Sequence, residues 1–394
     1  MKKLFFNKIT YLLLMSFIIG GCTEQYVIQT NTFEEALVVE ATITNELKKQ
    51  QIKISKTYRF EENGPTSESD AQVFITDNTG NRYEFEEQSG VYISTSEFKV
   101  VPNREYHLNI TTNDGRSYVS STETLPTETE IESVIPIVAT VEGERGVQIN
   151  VNSYDPSNTS KYYRYEYEET YKIVAPYWVS KKAVVTGPEE VSFNTRTEEA
   201  QTCYSTKNSN DIILTSTASL NEDRVNFPVR FISDQNYIIT HRYSILVRQY
   251  VQSLAAYTYY KTLKKISGTE SILSPKQPGF FYGNLKSVDN PNEKIIGFFE
   301  LSSVSSKRMF FNYVDLFPKE PPPPYYTECD DVPLHFCFNP RIATCRGEEI
   351  IEAINLNTLV LYYRDLSDIY HMYPAPCGDC TSFSSNKIPP FWIN

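Results

Sequence analysis

Short stretches in which apolar and polar residues alternate recur between residues 37 and 125. They predict six β-strands of ordinary length, within residues 37–44, 51–58, 71–77, 81–87, 105–111 and 117–125. Two intervening segments, DNTGN (77–81) and TNDGRS (112–117), place glycine beside Asn, Asp or Thr, which supplies the positive φ angles that tight hairpins need. We therefore expect an antiparallel β-sandwich over residues 37–126.

A second series of strand patterns follows the polar joint TLPTETE (124–130). In YYRYEYEETYKI (162–173), tyrosines occupy alternate positions, which predicts a strand with one packed face and one solvent-facing side. The alternation is lost over residues 174–225, which indicates a long insertion. The expected fold class is mostly β, with a second antiparallel β-sandwich, of the fibronectin type III kind, over residues 131–316.

Two segments interrupt the strand patterns. Residues 253–267 are typical of a helix, because Ser253 can cap the first turn, lysines occupy the last part and Gly268 can end it. The segment FPKEPPPPYY (317–326) predicts an extended polyproline linker, since consecutive prolines have no N–H to donate to a sheet. A small cysteine-rich tail over residues 327–394 completes the predicted organisation.

The N-terminal sequence has the pattern of a secretory signal. Three lysines precede an apolar run over residues 9–19, which is too short for a membrane-spanning helix of about 20 residues. The run ends in the sequence IGGC, whose small residues suit a signal peptidase site and whose Cys22 thiol can carry lipid, as in a bacterial lipoprotein box. We expect a signal peptide over residues 1–21 and a lipid-anchored tether over residues 22–36. An ordinary secretory signal with a chance cysteine is the alternative.

Charge narrows the classes of partner. The chain has 37 basic and 49 acidic residues, and the predicted signal peptide contains three of the basic ones, so the mature charge is 34 − 49 = −15. Nucleic acid and anionic lipid headgroups need clustered cations, so neither is the expected main partner. The lipid bilayer is expected as a partner through the acylated N-terminus.

Cysteines suggest an oxidising compartment. Seven are present, and six remain once Cys22 is assigned to lipid. These six permit up to three disulfides, and full pairing requires a bridge from the tail to the middle of the chain, with the connectivity left open. The disulfide candidates are Cys203, Cys329, Cys337, Cys345, Cys377 and Cys380. The alternative is a metal site that combines CGDC (377–380) with His335 or His371, although only half of a zinc ligand set is visible.

Signatures of catalysis do not occur in the sequence. There is no Gly-x-Ser-x-Gly, His-Glu-x-x-His, P-loop or dinucleotide fingerprint, and only four histidines could act as bases. We therefore expect a non-enzymatic protein with no catalytic residue, no cofactor and no metal. In the predicted insertion, Tyr177 and Trp178 are candidates for stacking on a ligand, with anchoring of the loop as the alternative.

A set of segments in a fixed order extends over nearly the whole mature chain. They are CTEQYVI (22–28), LVVEATITNE (37–46), AQVFITDNTGNRYEFEEQSGVY (71–92), YHLNITTNDGRSY (106–118), AYTYYKTL (256–263), GNLKS (283–287), IIGFF (295–299) and CGDCTSFSSNKIPPFW (377–392). In this order they resemble a family of Bacteroidota lipoproteins described as a domain of unknown function, whose members tend to be encoded beside TonB-dependent receptors. The chain departs from the family pattern at Ala41 and within residues 381–386, where the family often has glycines.

The resemblance implies a fold, a location and a role. The implied first domain is immunoglobulin-like or transthyretin-like, and the implied location is the outer membrane of the cell envelope, lipid-anchored, on its surface or its periplasmic face. The implied role is that of a non-enzymatic accessory or binding subunit of a TonB-dependent transporter or a related envelope complex, with the outer-membrane β-barrel receptor as partner. The alternative is a free-standing surface lipoprotein that binds a glycan or a peptide.

Overall fold

The computed structural model describes most of the predicted mature chain. The described residues are 35–58, 64–188, 190–267, 281–336 and 347–393. Outside them lie the predicted signal peptide, most of the tether, and Cys22, Gly268, Cys337 and Cys345.

Strands dominate the structure, which confirms the mostly β fold class. The first group contains β1 (Leu37–Thr44), β2 (Gln51–Lys56), β3 (Thr66–Ser67), β4 (Gln72–Asp77), β5 (Arg82–Gln88), β6 (Val91–Ser94), β7 (Glu105–Thr111), β8 (Ser117–Ser120) and β9 (Glu123–Thr124). The second group contains β10 (Ile131–Val141), β11 (Glu144–Asp155), β12 (Tyr162–Val174), β13 (Lys181–Gly187), β14 (Glu190–Thr195), β15 (Thr202–Asn208), β16 (Ile213–Ser216), β17 (Asp223–Ser233), β18 (Arg242–Val251), β19 (Leu285–Ser287) and β20 (Ile295–Asn312). The tail contains β21 (Val332–Leu334), β22 (Leu359–Arg364) and β23 (Tyr370–Pro374).

Helices are few in the described part of the chain. They are α1 (Leu254–Ser267), α2 (Tyr313–Leu316), α3 (Gly347–Asn355) and α4 (Ala375–Gly378), with short 3-10 helices at Tyr237–Ile239 and Cys380–Ser382. The predicted helix is confirmed as α1, and its cap is present, because the N–H of Ala256 donates to Oγ of Ser253 at 3.2 Å. Within the described ranges, none of the helices is long and apolar enough to cross a bilayer.

The first group of strands follows the sequence pattern closely. β4 alternates between exposed and buried positions, with Val73 and Ile75 fully buried. The two predicted hairpin turns join β4 to β5 and β7 to β8, and Gly80 and Gly115 each have a φ of +89° there. Their side-chain-free backbones therefore make the turns without strain.

One strand pairing departs from the antiparallel expectation. β20 runs parallel to β1 in a register that starts with Leu37 opposite Ile295, and further along it runs antiparallel to β18. Phe299 of β20 is buried in the same apolar cluster as Ala41 of β1, here termed the first core, because β20 lies beside β1 in the sheet and turns the same face to that cluster. One hydrogen-bonded path therefore passes through both predicted units. Their division into residues 37–126 and 131–316 stays a prediction. The packing of the layers as two sandwiches stays a prediction.

The second core takes its side chains from two sheets. One is the continuation of the long path, in the order β15-β12-β18-β20, and the other is a separate three-stranded sheet in the order β10-β11-β17. Tyr163 and Tyr165 of β12 are fully buried and pack in one cluster with Ile149 of β11. The predicted packed face of the tyrosine-rich strand is therefore present, but the predicted solvent-facing side is wrong at Arg164, which is buried.

Residues 174–225 are more regular than their sequence predicts. β15 and β16 pair with successive parts of β12, with Cys203 opposite Ile173 and Thr215 opposite Tyr163. β13 and β14 pair with each other as a separate hairpin. The 13-residue strand β12 supplies hydrogen-bonding partners even where apolar alternation is weak. That residues 174–225 form an insertion stays a prediction.

The proline-rich segment 317–326 lies against the body of the protein. Phe317 is fully buried, and the hydroxyl of Tyr313 donates to the carbonyl oxygen of Pro321 at 2.9 Å. Tyr325 packs against the second core. The aromatic residues on both sides of the prolines thus anchor the segment, and its role as a linker to the tail stays a prediction.

The tail forms a small lobe with its own core. We use the name tail lobe for described residues 327–336 and 347–393. Its strands pair antiparallel in the order β21-β23-β22, and its core includes Ile350 of α3 and Met372 of β23, both fully buried. A disulfide between Cys203 and Cys380 joins the lobe to β15.

Candidate functional site

A wide cleft, here termed the tail cleft, separates the β13–β14 hairpin from parts of the tail lobe. Four segments line it, within residues 182–185, 196–200, 354–361 and 379–386. Its volume is about 940 Å³, near the upper end of the roughly 300–1,000 Å³ range of ligand pockets. The cleft is therefore large enough to accept part of another molecule.

Apolar packing and a disulfide hold the two sides of the tail cleft. Ala183 and Val191 of the hairpin pack against the core of the tail lobe. On the opposite side, Cys380 is bonded to Cys203, and its N–H donates to the carbonyl oxygen of Ala200 at 2.9 Å. Both sides of the cleft are thus held in place, one by apolar packing and the other by a disulfide and a hydrogen bond.

The segment after Cys380 forms one wall through hydrogen bonds to the chain near β15. The N–H of Tyr204 donates to the carbonyl oxygen of Ser385 at 2.7 Å, and Nδ2 of Asn386 donates to the carbonyl oxygen of Glu199 at 2.8 Å. These bonds set the path of the wall, because they tie residues 385 and 386 to the backbone at Tyr204 and Glu199.

An ion pair is buried in this wall. Nη1 of Arg196 donates to Oδ2 of Asp379 at 2.8 Å, and the two side chains are 7% and 16% exposed. Oδ1 of Asp379 accepts the N–H of Thr381 at 3.0 Å. Nε of Arg196 is buried and has no hydrogen-bond acceptor among the described residues. A buried donor without an acceptor costs about 1–3 kcal/mol, so an oxygen that reached Nε from the cleft would be stabilising.

The other charges of the tail cleft are nearly balanced. Nζ of Lys182 lies 3.8 Å from Oε2 of Glu198. Oε1 of Glu199 accepts the N–H groups of Gln201 and Thr202 at 2.7 and 2.8 Å. Since these charges are already compensated, the cleft suits an uncharged polar ligand better than an ion.

Hydroxyls that border the cleft take part in the hydrogen bonds of its wall, and that of Thr381 donates to Oδ1 of Asp379 at 2.5 Å. Oγ of Ser382 donates to the carbonyl oxygen of Asp379, and Oγ of Ser384 donates to that of Tyr204, both at 2.8 Å. A nucleophilic hydroxyl instead needs to donate to a base. In this geometry the hydroxyls of Ser382 and Ser384 do not donate to a base.

The two aromatic residues predicted to stack on a ligand make anchoring contacts. The ring of Tyr177 stacks on Tyr373 with 4.0 Å between centroids, and its N–H donates to the carbonyl oxygen of Cys377 at 2.8 Å. Trp178 packs against the second core. Both lie outside the set of described residues that lines the tail cleft. Contact of Tyr177 and Trp178 with a ligand stays a prediction.

Four of the candidate cysteines form two disulfides. Cys203 is bonded to Cys380, which is the predicted bridge from the tail to the middle of the chain, and Cys329 is bonded to Cys377. The presence of disulfides is therefore confirmed. Both cysteines of the CGDC sequence are bonded, each to a different partner, so neither is a free thiolate for the alternative metal site.

Three polar residues of the cleft were not identified from the sequence. Arg196 and Asn386 meet the other wall residues only because the tail folds back on the middle of the chain, and no local pattern indicates this. Asp379 had a partial signal, since Asp is a usual N-cap of a helical turn, and Asp379 does accept the N–H of Thr381.

A second buried arginine lies where the strands of both cores meet. The side chain of Glu300 is fully buried and accepts hydrogen bonds from Oγ1 of Thr42 at 3.2 Å, Nε2 of Gln252 at 2.7 Å and Oγ of Ser302 at 2.6 Å. Nη2 of Arg164 lies 3.4 Å from Glu300 Oε2. These five residues are termed the central network.

Aromatic rings and a second carboxylate enclose Arg164. Its guanidinium lies 4.2 Å from the ring centroid of Tyr250 and 4.9 Å from that of Tyr260, and it also pairs with Glu166. Burial and the charge of Glu166 raise the pKa of Tyr250, and burial and the charge of Glu300 raise the pKa of Tyr260. Both phenols therefore stay neutral at physiological pH. Nε of Arg164, like that of Arg196, has no acceptor among the described residues.

Comparisons with known proteins identify a family. A family model described as Domain of unknown function (DUF4249) matches residues 23–308, which is more than half of the chain. No curated protein matches the chain. Among solved structures, the crystal structure of trypsin-activated alpha-2-macroglobulin from Escherichia coli is similar over 57% of this chain and 15% of that chain, with 6% identity and a TM-score of 0.17, a likeness too low to carry an argument. On the family match, the chain belongs to the family with the domain of unknown function DUF4249.

Proposed function

We propose that the protein is a non-enzymatic binding subunit of the cell envelope, anchored to the outer membrane through lipid on Cys22 and acting beside a TonB-dependent β-barrel receptor. The observation that carries the binding role is the tail cleft, which combines a volume of about 940 Å³ with fixed walls and a buried guanidinium whose Nε has no acceptor in the described chain. The signal-like N-terminal sequence and the resemblance to Bacteroidota lipoproteins support the anchor and the partner.

The non-enzymatic part of the proposal rests on how the polar groups of the cleft are used. The hydroxyls of Ser382 and Ser384 donate to carbonyl oxygens, and the carboxylate of Asp379 is paired with Arg196. Groups that are already paired in this way hold the cleft in shape, and they would have to leave their partners before they could attack a substrate.

The proposed tether gives the protein reach. Residues 22–36 comprise 15 residues, and an extended chain of that length spans at most about 50 Å. The body could therefore contact segments of a neighbouring barrel that stand well clear of the bilayer surface.

A pull-down from native outer membranes tests this proposal. The tagged full-length protein is purified in mild detergent beside a Cys22→Ala variant, and the partners are identified by mass spectrometry. We expect a TonB-dependent barrel in near-equal amount with the wild type and its loss with the variant, because removal of the lipid anchor takes the protein away from the membrane.

The second candidate function is a free-standing surface lipoprotein that binds a glycan or a peptide. The balanced charges that line the tail cleft favour such an uncharged ligand over an ion. Recovery of the lipidated protein without any barrel would contradict a stable complex and favour this candidate. A variant with Arg196→Ala, compared in the same experiment, shows whether the partner is held through the tail cleft.

A further inference from the structure

Two strand edges border the tail cleft. In the described chain, β13 pairs with β14 alone and β22 pairs with β23 alone, so each strand has one side without a neighbouring strand. Exposed edges present unpaired N–H and C=O groups and are templates for another strand.

The lining pattern shows that these edges face the cleft. A strand that turns one of its faces to a cleft lines it with every second residue, because successive side chains point to opposite faces. β13 instead lines the cleft with four consecutive residues, 182–185, and β22 lines it with three, 359–361. Residues 182–185 are all half-buried, which also fits a strand seen from its edge.

The backbone bonds of β13 support the same conclusion. Within the described ranges, its main-chain pairing is with β14, from Lys181 opposite Thr195 to Gly187 opposite Glu190. The N–H and C=O groups on its other side therefore face the cleft. A row of such groups matches the main chain of an extended peptide, whereas the hydroxyls of a glycan have no matching repeat.

We propose that the tail cleft captures an extended, uncharged segment of a partner polypeptide, which adds as a strand to the free edge of β13. This inference rests on the proposed role of the cleft as a binding surface and specifies its ligand. Main-chain bonds to residues 182–185 hold the segment against the free edge of β13. Four residues of a strand span about 13 Å, so the segment in contact is about four to six residues long.

The balance of charge selects the composition of this segment. Lys182 and Arg196 are already paired with Glu198 and Asp379, so a charged side chain would enter the cleft without a free counterion. Val184 and Val185 border the cleft, and they favour β-branched or aromatic side chains in the added strand.

The test uses the whole mature protein and a library of random heptapeptides blocked at both ends. Peptides that bind are resynthesised with a methyl group on one backbone nitrogen at a time. In an added strand, alternate N–H groups point to β13, so methylation should weaken binding about tenfold at every second residue and much less at the residues between. The matched protein variant Asn226→Ala, on the outer strand of another sheet, should bind as the wild type does.

Three results would overturn the inference: binding without this two-residue period, binding of glycans alone in a parallel array, or no peptide binding at all. The result is independent of the membrane pull-down. Peptide capture without a co-purified barrel would leave the inference in place and remove the barrel partner, while a co-purified barrel without peptide capture would do the opposite.

Discussion

Arg164 and Arg196 are both buried, but their surroundings differ. Arg164 lies between two carboxylates, Glu166 and Glu300, with aromatic rings over it. Arg196 has a single carboxylate partner, Asp379, and lies in the wall of an open cleft. A buried ion pair contributes little net stability, but removal of one partner leaves an uncompensated charge. The comparison suggests that the first arginine holds strands together and that the second shapes a surface for another molecule.

The positions of the Arg164 and Arg196 ion pairs along the chain agree with this difference. The central network joins β1, β12 and β20 to Gln252, the residue that follows β18. All five of its residues lie inside the range matched by the family model, 23–308. Asp379 lies beyond that range, in the tail lobe. We use the name body for the described residues before the tail lobe. A substitution in the central network should therefore destabilise the body as one unit, whereas a substitution in the tail lobe should loosen only the surrounding residues.

The largest expected effect is from Glu300→Ala. It leaves Arg164 with one carboxylate and deprives Thr42 and Ser302 of their acceptor, so we expect the free energy of unfolding to fall by about 3–5 kcal/mol. Urea unfolding followed by circular dichroism measures it. Glu300→Gln keeps the volume and part of the hydrogen bonding and should lose less, and an equal loss in the two variants would contradict a role for the charge.

The next effect is expected from Cys203→Ser combined with Cys380→Ser. Loss of a disulfide typically costs about 2–4 kcal/mol, and here it should release the tail lobe from β15, detected as faster proteolysis near residue 380. The control pair is Cys329→Ser with Cys377→Ser. Its loop spans 48 residues rather than 177, so loop-closure entropy predicts a cost smaller by about 1 kcal/mol. If the tail lobe remained as resistant to proteolysis without the Cys203–Cys380 disulfide as with it, the disulfide would not be what attaches the lobe to β15.

Asp379→Ala should have a smaller effect than Glu300→Ala. It leaves Arg196 unpaired and removes the acceptor of the Thr381 N–H, but water from the cleft can reach the site, so we expect a loss of about 1–3 kcal/mol. Hydrogen exchange should show the loosening within residues 379–386 and little change in the body. Asp379→Asn keeps the cap and serves as the matched control. Faster hydrogen exchange throughout the body would contradict the contrast between the Arg164 and Arg196 ion pairs.

The smallest expected effect is on the free energy of unfolding at low pH. Burial raises the pKa of Asp77, but hydrogen bonds from Asn81 and Thr79 outweigh it and hold the pKa well below its usual range. A depressed carboxyl pKa contributes stability above the unfolded value of about 4 and loses it as pH falls toward the folded value. The unfolding free energy should thus stay level from pH 7 to about pH 5 and decline below about pH 4. In Asp77→Asn the decline should be about 1–2 kcal/mol shallower, and an unchanged slope in urea titrations at pH 3 would reject this assignment.

Local patterns predicted the strands of the first group and α1 well. Alternation placed Val73 and Ile75 inside, and glycine-containing turns fixed two hairpins, because these features are set by neighbours in the sequence. The β1–β20 pairing could not be found in this way, since its partners are far apart in the chain. The strands within 174–225 were missed because edge strands and small hairpins do not need a regular apolar face.

The candidate site was less predictable than the fold. Counting cysteines indicated a bridge from the tail to Cys203, and the disulfide does bring the tail beside the middle of the chain. Arg196 and Asn386 carry no local signature of binding, because their role depends on which walls they meet. Tyr177 and Trp178 were chosen for their chemistry; in the structure Tyr177 stacks on Tyr373 and Trp178 packs against the second core, and contact with a ligand stays a prediction.

The parallel pairing of β1 with β20 has a consequence for biosynthesis. Leu37 pairs with Ile295, 258 positions later in the chain, so β1 has an open edge until most of the polypeptide has been made. Contacts this distant in sequence form slowly, and unpaired edges in incomplete chains are prone to aggregate. A chain interrupted before residue 295 therefore cannot complete its first core, and such fragments are expected to depend on chaperones or to be degraded.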